Sequence, residues 1–268
     1  MKLGISSYTF GWAVGVRGYE PAKPLDEHGL LDKCAELGVK LLQVGDNLPL
    51  HTFDDARLTS FAERAHREGI QIEVGARRLL PERVEAYARI ARRLKAKLLR
   101  FVVDDEDFHP FTRSISGILR ECAPLLDGLL LAIENHDRFT ASTLRNIIEG
   151  AGDERIGVCL DTVNSLGAGE GIEAVVETLA PLVLNLHVKD FHIERVPHLM
   201  GFTVTGRPAG LGLLDLPRLL EKLKAARRCE TAILELWTPP QSRLEDTIAK
   251  EAVWAQGSID HLQTLFTL

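Results

Sequence analysis

Four successive apolar segments of this sequence end on side chains of the kind that bind metal ions. These side chains are Glu134, Asp161, His187 and Glu235. An ionised carboxylate at the end of a buried strand is costly unless it is paired or bound to a metal. A single such residue is more often a helix cap or a surface group, but its repetition in four consecutive segments indicates a shared cause. We therefore expect the four side chains to form one metal site.

The types of these side chains limit which metal ions the site would bind. Three carboxylates and one imidazole make an oxygen-rich ligand set, which favours one divalent ion such as Mn, Mg or Co, with Zn as an option. Because three carboxylates outweigh one divalent charge, the site stays negative after the ion binds. Lys189, Arg77 and Arg100 lie at or just beyond the ends of neighbouring segments and are placed to offset the remaining charge.

The chain around these residues alternates between short apolar runs and segments of helical period. Candidate strands begin near Leu3, Leu41, Ile70, Leu98, Leu129, Ile156, Val183 and Thr231. Each interval between them contains apolar residues three and four positions apart, which is typical of helices that pack on one face. Parallel strands need such crossovers. Eight strand and helix units predict an α/β fold, namely a single (β/α)8 barrel with a parallel eight-stranded sheet and outer helices. We expect this barrel to form one domain over residues 1–268. From periodicity alone, a doubly wound open sheet is the alternative.

Further aromatic and polar side chains lie at the same strand ends, where a barrel carries its catalytic groups. Tyr8 and Trp12 alternate at the end of the first strand and are candidates for an apolar wall under a sugar ring, with ordinary packing as the alternative. His136 shares the inward face with Glu134 and is a candidate for binding a substrate hydroxyl. The alternative for His136 is a hydrogen-bonded loop histidine.

Several cationic side chains also occur at or just past these strand ends. They are Arg77, Arg100, Lys189, Arg195 and Arg207. This number exceeds what a neutral sugar needs. Since Arg binds carboxylate and phosphate groups in a two-pronged way, we expect an anionic substrate, such as a sugar acid or a phosphorylated sugar. Taken singly, each side chain also fits a surface salt bridge.

The longest interval, between the seventh and eighth strands, contains a segment rich in Gly, Pro, His and Arg. This segment runs from about Lys189 to Gly212. Insertions of this length between a strand and its helix are uncommon unless they are functional. We therefore expect an active-site loop there.

Composition excludes several classes of protein. The 32 Lys and Arg residues against 38 Asp and Glu residues give a formal net charge of −6, which argues against a nucleic-acid partner. No apolar run is long enough for a membrane span, and the N-terminus lacks a signal-peptide core, so we expect a cytoplasmic protein with no membrane partner. The four cysteines lie far apart, which favours reduced thiols over disulfides. A homo-oligomer remains open.

The strand-end motifs together resemble a known family. The segments Ile133–His136, Leu160–Thr162, Leu186–Asp190 and Leu234–Glu235, with Gly210–Asp215, are similar to those of the xylose-isomerase-like TIM barrel family, the superfamily of sugar phosphate isomerases and epimerases. The resemblance implies that Glu134, Asp161, His187 and Glu235 bind one divalent ion. It also implies that the two glutamates, as catalytic residues, stand on opposite sides of the substrate carbon and shuttle its proton.

Two positions depart from the epimerases of that family. Asn164 stands where they often have His, three residues beyond the metal-binding Asp, and Leu211 stands where they usually have Glu. Asn164 is a candidate substrate-binding residue. These changes leave the particular substrate and reaction open.

The resemblance implies a divalent-metal-dependent isomerase or epimerase of a ketose, a keto sugar acid or a related polyhydroxy carbonyl compound, acting through an enediolate. The nearest alternative is a metal-dependent decarboxylase or lyase of a 3-keto sugar acid, in which loss of carbon dioxide forms the enolate. Less favoured are a DNA repair nuclease resembling endonuclease IV, which would need more His ligands and a basic surface, and a sugar-binding protein without catalysis.

Overall fold

The computed structural model describes residues 1–266 and shows a closed barrel of eight parallel strands. Around the barrel the order is β1, β2, β3, β4, β5, β6, β7 and β10, with β10 returning to β1. The strands are β1 (Lys2–Ser6), β2 (Leu41–Val44), β3 (Gln71–Arg77), β4 (Leu98–Val102), β5 (Leu130–Glu134), β6 (Ile156–Asp161), β7 (Val183–Val188) and β10 (Thr231–Leu234). Each begins within one residue of its predicted start. The prediction of a single (β/α)8 barrel is confirmed, and the open sheet is excluded.

Helices cover the outside of the barrel. They are α1 (Gly11–Val14), α2 (Glu27–Glu36), α3 (Asp55–Glu68), α4 (Pro81–Arg93), α5 (Thr112–Cys122), α6 (Ala141–Ala151), α7 (Ile172–Leu179), α8 (Leu216–Ala226) and α9 (Leu244–Phe266). Helix α3 shows the local rules. Asp54 caps its first turn by accepting from the N–H of Arg57 at 2.8 Å, and Gly69 ends it with a φ of 67°, a left-handed conformation that suits glycine. Its Leu58, Phe61 and Ala65 recur three and four residues apart and are buried.

The main apolar core lies between these helices and the strands, whereas polar side chains occupy part of the barrel interior. Gln43 of β2 hydrogen-bonds to Asn185 of β7, and these strands are not neighbours in the sheet. A contact between them must therefore cross the inside of the barrel. Both side chains are fully buried. Buried polar groups are stable only where they are hydrogen-bonded, so this interior is highly specified.

The segment that was predicted to be an active-site loop contains a β-hairpin. Strands β8 (Asp190–Arg195) and β9 (Phe202–Arg207) pair antiparallel, apart from the barrel sheet. Asp190 secures the base of this hairpin, because its carboxylate accepts from the backbone N–H groups of Gly210, Gly212 and Leu214 at 2.9 to 3.1 Å. The strands were not predicted because Gly and Pro interrupt the segment, although it contains β-branched residues such as Ile193 and Val204. Its role at the active site stays a prediction.

The structure also bears on the expectations about cysteines and membrane spans. All four cysteines are free thiols, as predicted. Within residues 1–266, no helix combines the length and the apolar character needed to cross a bilayer.

Helix α9 is joined to the segment after β1 by a buried carboxylate. Glu251 is 1 % exposed and accepts from the N–H groups of Trp12 at 3.1 Å and Ala13 at 3.2 Å. Burial raises the pKa of Glu251 to about 8, and these hydrogen bonds only partly oppose the rise. The folded protein thus keeps a proton that the unfolded chain has released above pH 4.5. Stability must therefore fall as the pH rises through this range.

We expect Glu251→Gln to reveal this dependence. The quantity to compare is the free energy of unfolding of the wild type minus that of the variant. This difference should be largest below pH 4.5 and should decline as the pH rises to about 8. The decline should be about 1.4 kcal/mol for each pH unit between the unfolded and folded pKa values. Urea denaturation from pH 4 to pH 9 measures it. Glu245→Gln, an exposed position on the same helix, is the control; a difference for Glu251→Gln that does not change with pH would contradict the expectation.

Candidate active site and metal centre

The barrel brings the four predicted ligand residues together at one rim. Glu134 and Asp161 are the last residues of β5 and β6, His187 is the next to last of β7, and Glu235 directly follows β10. The carboxyl ends of parallel strands meet at the same end of a barrel. All four residues are at least 96 % buried, since their exposures are 4, 0, 0 and 1 %.

The imidazole of His187 lies at the centre of this group. Its Nδ1 is 3.7 Å from Oε2 of Glu134, 3.9 Å from Oδ2 of Asp161 and 3.5 Å from Oε1 of Glu235. These spacings are within the reach of two bonds of about 2.1 Å to one shared ion. The ligand atoms of Asp161, His187 and Glu235 all lie within 4.8 Å of one another.

The atoms of this cluster fit a cation. His187 Nδ1 is buried and has no hydrogen-bond partner, whereas Glu134 Oε2 and Asp161 Oδ2 near it are each paired with a cationic side chain. A nitrogen lone pair facing three carboxylates is repelled unless a proton or a metal ion lies between them. Donors of this kind, mostly hard oxygen atoms, suit a divalent ion.

Cys159 of β6 offers a further ligand atom, which its place in the sequence did not indicate. Its Sγ lies within 4.8 Å of the ligand atoms of Glu134 and His187. Burial, together with the negative charge of Glu134, raises the pKa of this thiol well above its usual value. The thiol instead donates to Asn185 Oδ1 at 3.1 Å. Since only the thiolate is a strong metal ligand, the oxygen-rich set remains the better one.

One oxygen of each carboxylate also accepts a hydrogen bond from an uncharged donor. Asp161 Oδ1 accepts from the backbone N–H groups of Val163 and Asn164 at 2.8 and 2.9 Å. The Asn164 side chain donates to Glu134 Oε1 at 2.8 Å, and Ser6 Oγ donates to Glu235 Oε1 at 2.9 Å. Such outer contacts fix the orientation of metal ligands.

Two buried cations lie directly against the carboxylates. Lys189 Nζ is 2.8 Å from Asp161 Oδ2 and 2.9 Å from Glu235 Oε2. Burial alone would lower the pKa of Lys189, but these two negative charges raise it well above its ordinary value. Arg100 Nε lies 2.8 Å from Glu134 Oε2, and its Nη1 donates to Asp46 Oδ1 at 2.8 Å. Each cation therefore bridges two carboxylates.

A cavity of about 120 Å³ opens above this cluster. Six of the predicted substrate-binding residues line it, and these are Tyr8, Arg77, Arg100, His136, Asn164 and Lys189. Among the described residues the Arg77 side chain makes a single ion pair, with Asp46 at 4.0 Å, and no hydrogen bond. His136 Nδ1 is paired with Asp137 at 2.8 Å. The Arg77 guanidinium is thus the cation of this cavity that is least engaged by the protein.

The structure places the other two predicted substrate-binding residues elsewhere. Trp12 lines a neighbouring cavity of about 390 Å³, which shares Tyr8, and its Nε1 donates to the Thr238 carbonyl at 2.9 Å. Arg207 is paired with Glu194 across the β-hairpin. The position of Arg207 in the sequence does not show that it pairs within a hairpin. For this reason the sequence suggests, wrongly, that Arg207 lies with the cations at the barrel rim. Neither residue lines the cavity above the cluster.

Two residues of the site were missed from the sequence. Asp46 follows β2 and contacts Arg100, Arg77 and the Tyr8 hydroxyl, the last at 2.9 Å. Oε1 of Gln43 in β2 lies 2.7 Å from His187 Nε2. The same rule that identified the four ligands, a polar side chain at the end of an apolar strand, would have found both if it had been applied to β2.

Comparisons with known proteins agree with this architecture. Residues 31–264 match the family model described as xylose isomerase-like TIM barrel. The chain is 29 % identical to the 3-oxo-isoapionate decarboxylase of Pectobacterium atrosepticum, over 98 % of this chain and 96 % of that protein.

Among solved structures, it is similar to D-psicose 3-epimerase from Clostridium cellulolyticum H10, with a TM-score of 0.74, 16 % identity and 99 % coverage of both chains. A xylose isomerase-like TIM barrel protein from Mycobacterium smegmatis in complex with magnesium has a TM-score of 0.71 at 13 % identity, over 96 % of this chain and 97 % of that one. At these identities the structural likeness shows the shared fold. The closed barrel and the family match over most of its length establish that this chain belongs to the xylose isomerase-like TIM barrel family.

Proposed function

We propose that this protein is a divalent-metal-dependent decarboxylase of a 3-keto sugar acid. The family and the named relatives support a sugar-modifying enzyme in general. The observation that carries the finer proposal is the charge of the cavity. Three carboxylates line it, those of Glu134, Glu235 and Asp46, and the Asp161 carboxylate contacts Lys189 beside it. Together they face three cationic side chains, and a divalent ion would turn this balance positive. A positive cavity suits a substrate that bears a carboxylate.

Arg77 is the group that would receive this carboxylate. Its guanidinium lines the cavity and makes no hydrogen bond to the described residues. A planar guanidinium binds a carboxylate through two parallel N–H donors. Relatedness to a decarboxylase of a keto sugar acid over nearly the whole chain points to the same substrate class.

In a 3-keto acid, the bond between the carboxyl carbon and C2 breaks, and its electron pair forms the enolate across C2 and C3. Carbon dioxide leaves, and C2 then takes up a proton. Glu134, Asp161, His187 and Glu235 would hold the ion, which when bound supplies a Lewis acid for the ketone oxygen. Lys189 stabilises the negative charge that develops at this oxygen and delivers a proton from Nζ to C2.

The state of the two glutamates favours loss of carbon dioxide over proton abstraction. Glu134 is held by Arg100 and Asn164, while Glu235 is held by Lys189 and Ser6. Burial alone would raise the pKa of Glu235, but the positive charges around it, those of Lys189 and Arg100 among them, lower it, so Glu235 is a weak base. Decarboxylation begins without a base, whereas epimerisation needs one. The second candidate, an isomerase or epimerase, is favoured by the presence of both glutamates in the same cavity.

One experiment separates the two candidates. The metal-loaded protein is incubated in heavy water with a set of keto sugar acids, including 3-oxo-isoapionate, and with neutral ketoses. A decarboxylase releases one carbon dioxide for each deuterated product molecule. Deuterium uptake into the substrate without carbon dioxide release would overturn the proposal in favour of an epimerase.

Arg77→Gln should weaken substrate binding more than turnover. A charge-assisted pair contributes about 1.5–3 kcal/mol, so we expect KM to rise by about 10- to 100-fold while kcat changes little. Steady-state carbon dioxide release measures both constants. Arg78→Gln is the matched control, because Arg78 is paired with Asp107 and does not line the cavity. Equal KM values for the Arg77 and Arg78 variants would show that Arg77 does not bind the carboxylate.

A further inference from the structure

A chain of buried hydrogen bonds runs beneath the proposed metal site. His187 Nε2 lies 2.7 Å from Gln43 Oε1, and Gln43 Nε2 donates to Glu73 Oε2 at 3.1 Å. Gln43 Nε2 also lies 3.1 Å from Asn185 Oδ1. The three members of the chain, His187, Gln43 and Glu73, are at most 1 % exposed. These contacts connect β3 through β2 to β7 across the barrel interior.

We propose that Gln43 and Glu73 are positioning residues that hold the proton of the His187 ring on Nε2 and leave Nδ1 as the metal donor. The proposal rests on the metal site of the proposed function. It assigns a role to two buried residues that contact neither substrate nor metal.

The direction of the chain follows from what each group can donate. Burial raises the pKa of Glu73 to about 7. Above that pH its carboxylate is ionised and only accepts, so it requires the NH2 group of Gln43 to face it. The reversed amide would place Gln43 Oε1 at about 3.1 Å from two acceptor oxygens, those of Glu73 and Asn185. With its NH2 group committed, Gln43 presents its carbonyl oxygen to His187. The ring nitrogen that faces a carbonyl oxygen must carry a hydrogen.

The opposite side of the ring shows the consequence. His187 Nδ1 faces the three carboxylates and has no hydrogen-bond partner. If Gln43 did not accept from Nε2, the neutral ring could place its proton on Nδ1, where it would donate to a carboxylate and block the ion. Gln43 disfavours this competing tautomer. Contacts of this kind typically change metal affinity by about 10- to 100-fold.

Two variants test the chain. Gln43→Met removes the acceptor at similar volume, and we expect the affinity for Co²⁺, titrated alone and followed by its visible absorption, to fall by about 10- to 100-fold. The double variant Gln43→Glu with Glu73→Gln reverses the donor between these two residues but keeps an acceptor against Nε2, so it should recover most of the affinity. Gln71→Met, at the start of β3 where Gln71 bonds to Lys2, is the matched control.

The position of the ring proton is measured separately. Nitrogen-15 NMR of the histidine side chains in the metal-free wild type should show hydrogen on Nε2 of His187, and Gln43→Met should lose this signature. A wild-type ring with its only proton on Nδ1 would overturn the proposal, as would unchanged Co²⁺ affinity in Gln43→Met. A double variant no better than Gln43→Met would also count against it.

These readouts are independent of the reaction. If the protein epimerises its substrate, the proposed decarboxylation fails but the NMR and Co²⁺ results still decide the role of Gln43. If wild-type protein binds no Co²⁺, the metal site fails and this proposal with it. Circular dichroism establishes that each variant is folded; if Gln43→Met does not fold, the wild-type ring spectrum and the double variant remain decisive.

Discussion

Glu235→Gln is expected to lower kcat/KM by about 10³-fold, the scale seen when a preorganised charged group is removed from an active site. The substitution removes one of the four proposed ligands and also one of the two carboxylates that neutralise Lys189. The amide has almost the same shape, so it can still accept from Ser6 Oγ, which lies 2.9 Å from Oε1. The loss therefore reports charge and ligand strength rather than packing.

The measurement combines steady-state kinetics with elemental analysis of the purified variant. Reduced metal content together with reduced activity would assign Glu235 to the ion, whereas full metal content with low activity would assign it to the reacting carbon. Glu230→Gln, an exposed position just before the same strand, is the matched control. Wild-type activity in Glu235→Gln would remove this residue from the site altogether.

Lys189→Met is expected to produce the second large effect. Lys189 bridges Asp161 and Glu235 at 2.8 and 2.9 Å, and both carboxylates are buried. Removal of one partner of a buried ion pair costs about 3–5 kcal/mol, because a charge is left without compensation. We expect this loss in the free energy of unfolding of the metal-free protein. Added divalent ion should recover part of it, since the ion compensates the same carboxylates.

Activity should respond in a different way. If Lys189 delivers the proton to C2 and stabilises the enolate oxygen, kcat should fall by about 10²–10³-fold even at saturating metal, with a much smaller change in KM. Urea denaturation with and without the ion, and carbon dioxide release under the same conditions, measure the two effects. Lys97→Met, exposed before β4, is the control. A variant with normal kcat would show that Lys189 acts only in holding the carboxylates.

The sequence predicted the parts of the site that depend on one strand at a time. Each proposed ligand ends its own apolar run, and burial of a charge in such a place needs a compensating partner. The closed barrel follows from the same kind of local pattern, since helical and strand periods are visible within short windows. Strand starts were accordingly accurate to one residue.

What depends on contacts between distant segments could not be predicted in this way. The pairing of Arg207 with Glu194 and the partners of Arg100 are set by how strands and hairpin meet in space. The role of Gln43 depends on a hydrogen bond to a residue 144 positions away. No local pattern encodes such a contact.

The amino-acid sequence by itself determined that this protein is a single parallel barrel with three carboxylates and an imidazole at one rim, because hydrophobic period and strand ends are local properties. The tertiary structure alone decided which cation of the cavity is least engaged by other side chains and which ring nitrogen faces the ligand cluster. Those features depend on the compensation of charges and hydrogen bonds among side chains from several strands, which exists only once the barrel has closed.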